Sequence, residues 1–128
     1  MSKLKRKITV LFAVCTLLVT SSCSKEDAPD SLFGTTWVHS QAWLDGTLAC
    51  ESSSMLQFLS NNTGKEVFLY YENGSMAQDP IITPFSYSYD KPKGTITEGN
   101  ASITFTIDGN VMTMYSYDGQ KMDYILQK

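Results

Sequence analysis

Histidine and arginine are nearly missing from this sequence: its 128 residues hold one of each, His39 and Arg6. A single imidazole cannot build the His and Cys sets that hold zinc, so a metal centre of that kind is excluded and no cofactor is expected. With Arg6 at the extreme N-terminus, the rest of the chain has no guanidinium to clamp phosphate or carboxylate in bidentate fashion. Beyond residue 22, six lysines face thirteen acids, a balance of −7 before any terminal group. Such a surface repels a phosphate backbone, which excludes nucleic acid as a partner. Long apolar runs are missing too. Residues 8–19 (ITVLFAVCTLLV) are roughly a dozen in a row, short of the ~20 that span a bilayer. No segment reads as a convincing helix.

What the N-terminus does have is an address. Lys3, Lys5, Arg6 and Lys7 precede the apolar run, and Thr20, Ser21 and Ser22 follow it, the layout of a secretory signal. Read from residue types alone, cleavage would fall near Ser22. The next residue is Cys23, and VTSSC (residues 19–23) resembles a bacterial lipobox, in which the cysteine is acylated and the chain is cut just before it. The resemblance implies a lipoprotein signal peptide over residues 1–22 and membrane attachment through a lipid on Cys23. One acyl chain anchors only marginally, and lipoprotein maturation resembles a solution to that, since it places several chains on one cysteine. Lys25, Glu26 and Asp27 resemble the surface-export signal of Bacteroidetes lipoproteins, which implies the outer membrane and its outer face; the plain alternative is a charged linker. Residues 30–32 (DSL) resemble a short O-glycosylation motif of the same bacteria. Residues 23–31 thus read as acylated cysteine and flexible tether, polar and without a large apolar side chain. With Cys15 removed and Cys23 lipidated, Cys50 has no partner for an intrachain disulfide.

Residues 32–128 then form one small domain, just large enough for a core. Short β-prone runs alternate with turn residues: 36–44 (TWVHSQAWL), 54–60 (SMLQFLS), 66–72 (EVFLYYE), 84–90 (PFSYSYD), 94–98 (GTITE), 102–108 (SITFTID), 111–117 (VMTMYSY) and 121–127 (KMDYILQ). Asp45-Gly46, Asn73-Gly74, Asp108-Gly109 and Asp118-Gly119 between them are hairpin signals, because these pairs tolerate positive φ. Period-two alternation turns Phe85, Tyr87 and Tyr89 to one face, and likewise Ile103, Phe105 and Ile107. The expectation is all-β: a small antiparallel up-and-down barrel of about eight strands, closed because closure removes exposed edges. GTTWVHSQAWLDG (residues 34–46), followed by hairpins and FTIDGNVMTM (residues 105–114), resembles the small lipocalin-like lipoproteins of Bacteroidetes. That resemblance implies that Trp37 closes the base of the barrel. The arginine that often packs on this tryptophan in true lipocalins is absent.

Catalysis finds little support. His39 sits mid-strand with no serine or cysteine partner evident from spacing, and Glu51 beside Cys50 disfavours a thiolate in what reads as a loop (LACESS). Residues 108–110 (DGN) lack the further acids of a calcium loop and read as a turn. Glu66 and Glu72 read as surface charges. The chain is therefore expected not to be an enzyme but a binding or interaction protein. One form is a carrier of a small apolar or sugar-like ligand, with Trp37, Trp43, Phe85, Tyr87 and Tyr89 as candidate lining. The other is a solid barrel that meets an envelope protein, or inhibits a secreted enzyme, through exposed Tyr70, Met114, Tyr115 and Tyr117. Strands of about six residues favour a filled barrel over an open one.

Overall fold

The computed structural model describes residues 28–128; the expected signal peptide over residues 1–22, Cys23 and residues 24–27 lie outside the described residues. Nine strands follow one another: β1 (Thr36–Asp45), β2 (Leu48–Phe58), β3 (Thr63–Glu72), β4 (Ser75–Met76), β5 (Ile81–Asp90), β6 (Lys93–Glu98), β7 (Ala101–Asp108), β8 (Val111–Tyr115) and β9 (Lys121–Leu126). All but the two-residue β4 form a closed antiparallel barrel in up-and-down order, β9 returning to β1. The closing seam is short: Trp37 pairs with Leu126 and Val38 with Ile125. No helix occurs among the described residues.

Turn chemistry explains the connections. Asn73 and Gly74 both take positive φ, 50° and 82°, as a type I′ hairpin turn requires. Two other glycines serve close approach instead. A Cβ at Gly64 would collide with the Phe85 ring, and one at Gly94 with the Phe105 ring. Each phenylalanine ring therefore lies close against a neighbouring strand and fills the lumen toward the end where β1 begins.

That end, the base, is fully packed. Trp37, Phe58, Phe85, Tyr87, Phe105, Ile107 and Met112 are buried there, with Phe58 edge-on to both Phe85 (5.4 Å) and Tyr87 (4.8 Å). The Trp37 indole N–H donates to Thr35 Oγ1 (2.9 Å), so its polar edge is satisfied. Leu32 plugs the base from below, and the segment before it packs as well. Ala28 is buried, the Tyr89 hydroxyl donates to the Pro29 carbonyl (2.6 Å), and Lys91 pairs with Asp30 (3.0 Å). Among the described residues packing is thus present from Ala28 on, within the stretch that composition alone reads as a loose tether. The cause is aromatic: Tyr89 stacks on Phe105 and offers its hydroxyl at the rim, where a backbone carbonyl can accept it.

At the other end the sheet overshoots the barrel. Pairing of β1 with β2 continues to Asp45↔Leu48, and β2 with β3 to Cys50↔Glu72. Pairing of β3 with β5, by contrast, stops at Phe68↔Ile81. The far halves of β1, β2 and β3 therefore project as a three-stranded wall over the mouth. Cys50, expected in a loop, is a buried strand residue of this wall. Pairing on both sides overrides the weak β-propensity of its Ala, Glu and Ser neighbours.

Candidate ligand site at the open end of the barrel

Strand parity decides what the mouth contains. Residues sharing a face with buried Trp37 and Leu56 are His39, Gln41 and Trp43 on β1, Ser54, Ser52 and Cys50 on β2, and Glu66, Phe68, Tyr70 and Glu72 on β3. Glu66 is therefore a lumen residue, not the surface charge it reads as in the sequence. It lies on the face of Gly64, and a one-residue change of parity would expel the whole face.

A chain of hydrogen bonds holds this carboxylate. Ser54 Oγ donates to Glu66 Oε2 (2.5 Å), and with its proton so committed it accepts from the Tyr124 hydroxyl (3.0 Å). Burial, first of all, raises the Tyr124 hydroxyl above its ordinary value; the Ser54 bond opposes this, and the charges of Glu66 and Glu98 add to it. The His39 ring lies 5.4 Å from that of Tyr124. Its Nδ1 lies 2.9 Å from the Asp123 carbonyl, which only accepts, so Nδ1 carries the proton and Nε2 accepts from Gln41 Nε2 (3.1 Å).

The second carboxyl comes from β6. Glu98 shares the face of buried Ile96, and it lines the same cavity as Glu66. Burial, then the Glu66 charge and the hydrogen bond to it, push Glu98 up from 4.5 to about 7. Two neighbouring carboxyls resist double ionisation, so below about pH 7 the pair holds one proton. Beside them lies a cavity of about 150 Å³, walled by Leu56, Ile96, Ile103, Met114 and Met122 and opening beside Tyr117, which is 87% exposed.

The projecting wall adds an aromatic platform. Trp43, 42% exposed, stacks on Tyr70 at 6.1 Å between ring centroids. The Tyr70 hydroxyl contacts Cys50 Sγ (3.5 Å) and donates to Glu72 Oε2 (3.0 Å), and these two bonds, Cys50 first, raise the hydroxyl well above its usual range. Cys50 is only 1% exposed beneath them.

Of the five residues expected to line a ligand site, Trp37, Phe85 and Tyr87 are buried in the base, Tyr89 is half-buried over Phe105, and Trp43 alone overlooks the mouth. Among the residues expected on the surface, Met114 is buried in the lumen and Tyr70 is half-covered by Trp43, whereas Tyr115 and Tyr117 are exposed. The expectation of a filled barrel holds at the base, while the open half keeps a cavity larger than a water or two. Sequence reasoning missed Glu66, Glu98, Ser54 and Tyr124. The one local signal for Glu98 was its shared parity with Ile96. Among the described residues no cluster of three or more His, Cys, Asp or Glu is placed to hold a metal ion.

No protein-family model, no curated protein and no solved structure matches this chain.

Proposed function

We propose that this chain is a lipid-anchored binding protein of the bacterial envelope, lipocalin-like in plan, that takes a small molecule in the open half of its barrel and performs no catalysis. The observation that carries the reading is the cavity of about 150 Å³ above a sealed base, walled by apolar side chains around two convergent carboxyls. Apolar walls with a few placed polar groups are the usual make-up of a small-ligand site. Glu66 and Glu98 line one small cavity and raise the cost of ionising each other, whereas acid and nucleophile of a glycosidase stand about 5 Å apart or more to flank a bond. That closeness favours binding over hydrolysis.

The address rests on the VTSSC motif and on where the chain enters the fold. Ala28 and Leu32 pack at the base, so a lipid on Cys23 would tie the base to the membrane, with the mouth at the far end. Five residues of chain reach about 18 Å at most. Export to the cell surface is read from Lys25, Glu26 and Asp27.

Two measurements test this reading. Metabolic labelling with a palmitate analogue should mark the wild-type protein and not Cys23→Ala, whose precursor should stay uncleaved; label kept by the variant refutes the anchor. Native mass spectrometry of the mature protein extracted from its own membrane should show a small organic molecule bound one to one. Bare acylated chain under all gentle conditions speaks against the binding role.

A further inference from the structure

We propose that the ligand of the mouth cavity is a small organic cation, an ammonium group on a compact hydrocarbon body, held between Glu66 and Glu98. The inference rests on the reading of the mouth as a ligand site and adds its chemical class.

Size comes first. An apolar cavity of about 150 Å³ in another protein accommodates benzene, so this one suits a body of roughly six to ten heavy atoms. Its walls are Leu56, Ile96 and Ile103 with the polarisable Met114 and Met122, which accept a ring or short alkyl group without demanding hydrogen bonds.

Charge comes second. Every titratable group lining the cavity is an acid or a phenol: Glu66 from β3, Glu98 from β6, Tyr124 from β9 and Tyr117 from the turn before it. None of the lining side chains is basic. Ser54 from β2 supplies one neutral hydrogen bond to Glu66, and the His39 ring from β1 is engaged with Asp123 and Gln41. Two carboxyls therefore face one apolar space with a single shared proton as their counter-charge. An ammonium placed between them replaces that proton, donates hydrogen bonds to both carboxylates in a partly buried site, and lies beside Tyr117 and Tyr124, which line the same cavity. A neutral sugar or alcohol offers no charge to separate the two carboxylates. The excess of acids over bases beyond residue 22 draws cations toward the mouth in the same sense.

Because the cation displaces a proton, its affinity depends on pH. Glu98, with its carboxyl raised to about 7, must ionise for the ammonium to bind between two anions. Affinity should be level above pH 7 and fall below it, by up to tenfold per pH unit.

The test uses the mature acylated protein in lipid nanodiscs with methyl-labelled methionine. Benzylammonium and neutral benzyl alcohol are titrated while the Met114 and Met122 methyl signals are followed against Met112 in the sealed base. Saturable shifts at Met114 and Met122 are expected with benzylammonium, at least tenfold weaker with benzyl alcohol, weaker again below pH 7, and weakened at least tenfold by Glu98→Gln and by Glu66→Gln. Wild-type pH dependence keeps the test decisive even where a variant folds poorly. Equal binding of both probes, insensitive to pH and to the glutamine variants, overturns the cation while leaving the pocket reading intact. No saturable shift with either probe overturns both.

Discussion

Phe105 is 2% exposed because Gly94 on the adjacent strand has no side chain to hold it off, so one deletion on β6 creates the space that one ring on β7 fills. Phe105→Ala should cost roughly 3 to 5 kcal/mol, enough to unfold much of a domain this small, as read from urea denaturation. A change below about 1 kcal/mol would place that ring outside the core. At the mouth the decisive residue is Glu98. Its folded carboxyl titrates near 7, above the 4.5 of an unhindered glutamate, so between these values the folded state binds more protons than the unfolded state. The contribution of Glu98 is therefore greatest below pH 4.5 and is lost as pH rises through 7. Stability measured across that window should decline more steeply in the wild type than in Glu98→Gln; parallel curves would mean that Glu98 is not buried beside Glu66.

Among the elements, the strands whose alternation is clean are the ones legible in the sequence. Residues 84–90 and 102–108 turn their aromatic and β-branched sets inward as expected, and Phe85, Tyr87, Phe105 and Ile107 are all buried. The hairpin at Asn73-Gly74 was legible from turn chemistry as well. The first half of β2 was not, because Leu48, Ala49, Cys50 and the serines after it gain strand structure only from partners on both sides. For the same reason the site was hidden. Glu66 and Glu98 lie on β3 and β6, with β5 between them in the sheet, and only the pairing of both strands with β5 brings these residues, distant in sequence, to one cavity. The projecting wall makes its own prediction. Cys50 is covered by Tyr70 and Trp43, so a thiol reagent should modify the native mature protein slowly and Tyr70→Ala much faster. Fast modification of the wild type would show that the wall does not hold its aromatic pair.

As a whole the molecule is polarised along the barrel axis. The base carries the aromatic core, the plug of Leu32 and the entry of the chain, while the mouth carries the carboxyl pair, the cavity and the Trp43–Tyr70 platform. The two ends thereby divide the work. The packed end supplies stability and, on the proposed function, would receive the tether, leaving the open end to exchange a ligand without disturbing the core. Surface anchoring by the packed end with the mouth turned outward is the central claim, and a cysteine placed at the mouth tests it most directly. Tyr117→Cys, at a site 87% exposed on the β8–β9 turn, is treated on intact cells with a bulky membrane-impermeant maleimide. The account predicts rapid labelling of whole cells. Labelling that appears only after lysis would contradict it.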